Sequence, residues 1–321
     1  MKIEMRKKLI IHHWDTDGIC SAAMLYDTGT ENMTPTIGNY FLEKKEIEDI
    51  EKKGFEEIYV VDMALNRESM EALAGIAPVK VFDHHLSEKV DGIDYTNPIL
   101  DGGNEEDFPS ASWVVGNSVG MGDSLLAFLG AVGDWEERLK NIRFYKKLQD
   151  FMDRTSTTFE EMHLMAKLID SNYKIGDKKE VERAVAALSE TDNVKNYILN
   201  NEKWRRNKDR IDTEIENALN ADEKKMDGIT IKEISSKYNI ISAVARKVWD
   251  KKSYVIVTNC DYFPEDCQVY VRGEDCTELI KMAVGKGYVA GGKKNVMGAI
   301  VPKNEKDEFV NEIVEILGGL K

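Results

Sequence analysis

Three short apolar runs each end in acid or imidazole. Leu9-Ile10-Ile11 leads into His13-Trp14-Asp15-Thr16-Asp17-Gly18, Ile58-Tyr59-Val60-Val61 ends at Asp62, and Val79 to Phe82 ends at Asp83-His84-His85. Helical patterns, Ile19–Tyr26 and Arg67–Ala74, alternate with these runs. Such alternation predicts an α/β domain with a parallel sheet. In such sheets, ligands bind beyond the carboxyl ends of the strands, which is where all three motifs begin. The chain has five histidines, and His12, His13, His84 and His85 all fall in two of these runs.

A fourth acid, Asp134, follows the small-residue helix end Gly130-Ala131-Val132-Gly133. Bringing Asp15, Asp17, Asp62 and Asp134 into one crevice is costly. Two carboxylates about 4 Å apart repel by roughly 4 kcal/mol at an effective dielectric near 20. Two divalent cations would neutralise four such charges. With His13 and His84, the donor set is rich in oxygen with some imidazole, which suits Mn²⁺, with Mg²⁺, Co²⁺ or Fe²⁺ as alternatives. Two cations sharing a carboxylate can activate water for in-line attack on phosphorus. A calcium loop of the EF-hand type is excluded, because Asp15-x-Asp17-Gly18 would put His13 at its first position and Met24 at its twelfth, where Asp and Glu are needed. Asp17, near a helix start, also reads by itself as an N-cap, and His12 reads as a hydrogen-bonded core residue facing away from His13.

From Ser110 the pattern turns helical, with Ser110–Gly116, Ser124–Val132 and long segments from Arg143 onward. Residues 193–225 read as a polar connecting helix, and a second, smaller α/β domain starts near Gly228. Its predicted strands are Ile229–Ile234, Tyr254–Val257 and Val269–Arg272, and its predicted helices Ile240–Trp249, Thr277–Val284 and Glu308–Leu317. The division is therefore 1–192, 193–225 and 226–321. On the connector, Trp204-Arg205-Arg206 with Lys208 and Arg210 reads as a solvated helix face or as a nucleic-acid track.

The formal net charge of −14 opposes long polyanions, so any phosphate substrate is expected to be short and held locally by cations, Lys and Arg. The longest apolar stretch, Ser124–Val132, falls far short of the roughly 20 residues of a membrane span. The charged N-terminal run Met1–Lys8 has no apolar signal core, so a cytoplasmic protein without membrane attachment is expected. Cys20, Cys260, Cys267 and Cys276 have no Cys-x-x-Cys spacing and read as reduced thiols.

These motifs resemble those of the DHH phosphoesterase family: His13-x-Asp15-x-Asp17-Gly18, Asp62, Asp83-His84-His85 and Asp134. The resemblance covers roughly the first 140 residues. It implies that His13, Asp15 and Asp62 hold one metal and that Asp17, Asp62, His84 and Asp134 hold the other. His85 would contact the substrate phosphate, and Asp83 would orient the histidines. The C-terminal part resembles the accompanying DHHA1 domain, which implies substrate binding by Arg272 and by Gly291, Gly292 and Lys293, with Lys293 where that family's glycine loop carries His. The implied activity is that of the RecJ-like exonucleases, nanoRNases and cyclic-dinucleotide phosphodiesterases. Hydrolysis would fall on short single-stranded RNA or DNA, or on linear or cyclic dinucleotides, with two domains closing on the substrate and a homodimer compatible with this reading. Phosphoanhydride hydrolysis and a non-catalytic replication scaffold are the rivals. The pyrophosphatase branch carries a basic Ser-Arg-Lys-Lys run that this chain lacks, and decayed scaffolds lose metal ligands that are all present here.

Overall fold

Leu9, Ile10 and Ile11 are almost wholly shielded from solvent, as expected for a strand covered on both faces. They belong to β1 (Lys8–His12), which is followed by α1 (Thr16–Leu25), β2 (Thr30–Met33), α2 (Lys44–Lys53), β3 (Glu57–Val61), α3 (Arg67–Ile76), β4 (Val79–Phe82) and β5 (Asp94–Thr96) in this computed structural model. Residues 7–226 and 228–319 are described; most of the charged N-terminal run, residues 1–6, lies outside them. The five strands form a parallel sheet in the order β2-β1-β3-β4-β5. The order reverses between β1 and β3, the topological switch point at which doubly wound sheets bind ligands.

The helical part comprises α4 (Ala111–Ser118), α5 (Leu125–Trp135), a 3₁₀ turn (Glu136–Asn141), α6 (Tyr145–Thr155), α7 (Phe159–Lys174), α8 (Lys178–Glu190), α9 (Val194–Leu199) and α10 (Glu202–Leu219). Helix α1 is apolar almost all round, and every residue from Thr16 to Met24 is buried. It lies between the sheet and α4, α5 and α8, so its N-terminal turn is carried deep inside.

The chain divides into two compact units, residues 1–208 and 209–321, and the division falls within α10. Residues 193–225 are thus not one polar helix. Asn200 and Asn201 separate α9 from α10, and β6 (Glu223–Met226) follows. Trp204 is fully buried and donates from Nε1 to Glu180 Oε1 at 2.9 Å. It is a core residue, so it offers neither a solvated face nor a stacking surface.

The second unit continues with β7 (Ile229–Ile234), α11 (Ile241–Val248), β8 (Tyr254–Asn259), β9 (Asp266–Arg272), α12 (Thr277–Gly285), β10 (Val289–Lys293), β11 (Val296–Pro302) and α13 (Lys306–Gly319). Its mixed sheet runs β10-β11-β9-β8-β7-β6, with only β7 and β8 parallel. Val269, Val271, Met297 and Val301 pack with Leu279 of α12 and with Phe309 and Ile313 of α13. Cys260 and Cys267 are not reduced thiols; they form a disulfide, because the antiparallel β8–β9 pair ends with Asn259 opposite Gln268 and leaves the two cysteines facing each other. Cys20 and Cys276 are free and buried. No helix among the described residues is long and apolar enough to cross a membrane.

Candidate metal centre

The carboxyl ends of β1, β3 and β4, with Asp17 from α1 and Asp134 from α5, bring six of the predicted side chains together. His13 Nδ1 lies 2.9 Å from Asp15 Oδ2 and 3.6 Å from Asp62 Oδ2. His84 Nε2 lies 3.3 Å from Asp134 Oδ2, 3.6 Å from Asp62 Oδ1 and 3.7 Å from Asp17 Oδ2. His13, Asp15 and Asp62 offer donor atoms within 4.8 Å of one another, as do Asp17, His84 and Asp134. Asp62 thus turns one oxygen toward each group. Its backbone follows β3 in the left-handed region, φ 55°, which an Asp side chain tolerates better than most at a modest cost.

These donors fit a cation pair. Asp62 Oδ1, Asp83 Oδ2 and His84 Nε2 are buried without a hydrogen-bond partner. Buried polar atoms normally have one, and leaving them without costs about 1–3 kcal/mol each. A pair of divalent cations would engage Asp62 Oδ1 and His84 Nε2. Protonation tells the same story. Burial and then the Asp134 charge push the Asp17 carboxyl up to about 7. Burial, with Asp17, Asp15 and Asp134 around it, raises Asp62 well above the usual carboxylate range. Burial draws His84 down, but Asp134, Asp17 and Asp83 outweigh it and hold the imidazole at about 9. Without cations, the site resolves its charge by binding protons.

Each donor has a local cause. Asp15, not Asp17, caps α1, accepting from Gly18 N at 3.2 Å. Asp17 lies inside the helix and reaches the start of α4, where Ala111 N and Ser112 N donate to its two oxygens at 2.6 and 2.8 Å. Gly130 makes room for that carboxylate: a Cβ there would overlap Asp17 Oδ1. Gly18 likewise lets α1 pass close to His13 O, which a Cβ at that position would strike. Asp83 Oδ1 accepts from His84 N (2.8 Å), His85 N (3.3 Å) and His85 Nδ1 (2.9 Å), so this one oxygen shapes the turn and orients the His85 ring. Burial raises Asp83, but His85 more than offsets this and holds it low. His12 faces away, bonded to His13 O at 2.7 Å and Asn32 Oδ1 at 3.2 Å, and burial lowers it to about 4.

Sequence reasoning missed four contributors. Thr16 N and Oγ1 both donate to Asp170 Oδ1, at 2.9 and 2.7 Å, fixing the residue between Asp15 and Asp17. Asn97 Nδ2 donates to His85 O at 2.8 Å. Tyr40 stands beside His13. Gly130 lies in the small-residue run before Asp134, but its role in clearing space depends on Asp17 and Ser112, which are distant in the chain. Asp170 carries no local signal, being 154 residues from Thr16. Trp14 is buried against His13 and Tyr40, and Trp135 donates to Pro109 O at 3.0 Å, so both act as walls of the site.

The remaining predicted residues lie in the second unit. Gly291, Gly292 and Lys293 form the end of strand β10, not a loop, and all three are exposed. Lys293 pairs with Val296, and Val296 in turn pairs with Arg272. Residues directly opposite share a sheet face, so Arg272 and Lys293 lie in one row. Arg272 is no surface charge: it is buried, its guanidinium stands 5.6 Å from the Trp249 ring centroid, and its Nε has no partner.

A family model described as the N-terminal domain of the DHH family matches residues 7–125. No curated protein matches the chain. Among solved structures, a DHH domain from a protein described as a member of a family of ribosomal proteins is similar with a TM-score of 0.71 and 16% identity, over 97% of this chain and 86% of that one. RecJ from Thermus thermophilus in complex with Mn²⁺ is similar with a TM-score of 0.67 and 16% identity, over 95% of this chain and 51% of RecJ. A pGpG-specific phosphodiesterase from Vibrio cholerae is similar with a TM-score of 0.50 and 12% identity, over 98% and 99% of the two chains. At these identities the structural likeness speaks for the fold, and the family match speaks for one segment: residues 7–125 are similar to the N-terminal domain of the DHH family.

Proposed function

We propose that this protein is a metal-dependent phosphodiesterase acting on short oligonucleotides or dinucleotides. The observation that carries the reading is Asp62, whose two oxygens face two separate His/Asp groups. His13, Asp15 and Asp62 would hold one divalent cation, and Asp17, Asp62, His84 and Asp134 the other. When bound, such a pair activates water and offsets charge on a phosphoryl group. The chain's own groups do the rest. Asp83 holds His85 by Nδ1, which leaves Nε2 free to meet the substrate phosphate. The N-terminus of α4 and Gly130 keep Asp17 from turning away. The row of Arg272 and Lys293 is proposed to bind the rest of the substrate as fixed positive charge. That solved relatives are RecJ and a pGpG phosphodiesterase agrees with a nucleotide phosphodiester substrate. The net charge of −14 favours short substrates over long ones.

The test is a length series: labelled RNA and DNA from dinucleotides to about two dozen nucleotides, with a cyclic dinucleotide and pyrophosphate, in Mn²⁺ and in Mg²⁺. Turnover falling as length rises, with pyrophosphate inert, is expected. Phosphate release from pyrophosphate without oligonucleotide cleavage would replace this reading with phosphoanhydride hydrolysis. Inactivity on every substrate despite bound metal would leave a scaffold.

A further inference from the structure

Thr16 stands in the chain between Asp15 and Asp17, one donor from each group. It is wholly buried, and two helices close on it. From α5, Gly133 comes so near that a Cβ there would lie 3.1 Å from Thr16 Cβ, and the next residue, Asp134, is a third donor. From α7, Asp170 Oδ1 accepts from Thr16 N at 2.9 Å and from Thr16 Oγ1 at 2.7 Å. Thr16 Oγ1 also lies 3.0 Å from Ala166 O. Thr16 N is one of the amides that the first turn of a helix leaves without a helical partner, so Asp170 fixes α1 at its first residue.

A carboxylate is an adverse choice for this task. The crevice already holds Asp15, Asp17, Asp62 and Asp134, and each further negative charge nearby adds repulsion. Packing alone would be served by a neutral acceptor. The charge is instead balanced: Lys174, one turn further along α7, places Nζ 3.2 Å from Asp170 Oδ2. Burial and the Asp15 charge push the Asp170 carboxyl up, and Lys174 with Thr16 pulls against them. One oxygen is thus tied to Thr16 and the other to Lys174, so the carboxylate cannot turn without breaking a bond. Hydrogen bonds to a charged acceptor are shorter and about twice as strong as neutral ones.

We propose that Asp170 is a positioning residue that, through Thr16, sets the spacing of the two cation sites. The inference rests on the metal-centre reading and adds to it. Thr16 is joined in the chain to a donor of each group, so a shift of Thr16 moves Asp15 and Asp17 together, and Asp134 leans on the same residue through Gly133. A contact behind one donor alone would tune one cation. This one tunes the pair, and outer contacts of this kind typically change metal affinity by about ten- to a hundredfold.

The experiment is calorimetric titration of Mn²⁺ into wild type, Asp170→Ala, Asp170→Asn and Thr158→Ala, with EPR spectra of the Mn²⁺-loaded proteins and a thermal melt of each. Thr158→Ala is the structural control, because it removes the side chain that caps α7, roughly 18 Å along the same helix from Asp170. Asp170→Ala is expected to weaken both Mn²⁺ binding steps about tenfold or more and to change the exchange-coupled signal of the manganese pair. Asp170→Asn, which keeps an oxygen for Thr16, should recover most of the affinity. Thr158→Ala should lower the melting temperature and leave Mn²⁺ affinity as in wild type. Should Asp170→Ala fail to fold, Thr16→Val, which removes the shorter of the two bonds to Asp170, reads the same effect as a severalfold loss at both steps. Unchanged Mn²⁺ binding in Asp170→Ala or in its substitute, a loss confined to one cation, or an equal loss in Thr158→Ala overturns the inference alone. Wild type that binds fewer than two Mn²⁺ overturns the metal-centre reading, and the inference with it.

Discussion

In the N-terminal unit, Asp17, Asp62, Asp83 and His84 are buried, and neighbouring elements hold most of them from two or more directions. In the C-terminal unit, Gly291, Gly292 and Lys293 stand exposed on β10, the edge strand of their sheet. Chemistry at phosphorus needs donors fixed to within fractions of an ångström, and that precision comes from dense packing. Recognition of a phosphate by lysine needs only a point charge within reach. The two regions are therefore expected to answer differently to substitution: abruptly in the first, gradually in the second.

The sharpest way to break that contrast is Asp62→Ala. It removes the oxygens facing both groups, so turnover should fall by several kcal/mol of transition-state stabilisation, or roughly a thousandfold, and Mn²⁺ should no longer raise the melting temperature. Near-normal turnover refutes the shared-ligand role. Gly130→Ala tests the packing behind the site without touching a donor. The added methyl would overlap Asp17 Oδ1 and Ser112 Oγ, and a loss of about 1–3 kcal/mol of stability by urea unfolding is expected, together with weaker Mn²⁺ binding. Unaltered stability and affinity would show that α5 yields.

A smaller effect concerns pH in the metal-free protein. Asp17, at about 7, and Asp62 have folded-state values above those of the unfolded chain. Between pH ~4 and ~7 the folded protein therefore binds more protons than the unfolded one, and stability falls as pH rises through that window. Cations must displace those protons, so the Mn²⁺-induced rise in melting temperature should be larger at pH 8 than at pH 5.5, as scanning calorimetry would show; an equal or reversed difference contradicts the assignment. The smallest effect belongs to the other region. Lys293→Ala should raise KM severalfold and leave kcat nearly unchanged. A larger fall in kcat than rise in KM would mean that the edge strand acts at the reacting centre.

What could be read from the sequence follows the same divide. Asp62 and His84 were legible because each sits at the end of its own apolar strand, and a parallel sheet gathers strand ends without further information. The support for these donors was not legible, since it depends on pairs far apart in the chain: Asp170 with Thr16, and the start of α4 with Asp17. The Cys260–Cys267 disulfide escaped notice because only the β8–β9 hairpin sets those two residues opposite each other. Trp204 is hard to read from the sequence because polar residues flank it on α10, whose buried positions are sparse: Trp204, Asn207, Ile211, Ile215 and Ala218. The glycine run at 291 and 292 suggested a loop, yet Gly291 and Gly292 pair with Gly298 and Met297 in a hairpin, where Gly292 has a φ of 154° and no room for a Cβ beside Val296 O.

The most direct test is a crystal structure of the protein soaked in Mn²⁺, with anomalous data collected at the manganese edge. The account predicts two peaks, one among His13, Asp15 and Asp62 and one among Asp17, Asp62, His84 and Asp134, with an oxygen of Asp62 on each. A single peak that does not involve Asp62, or no peak among these side chains, would contradict it.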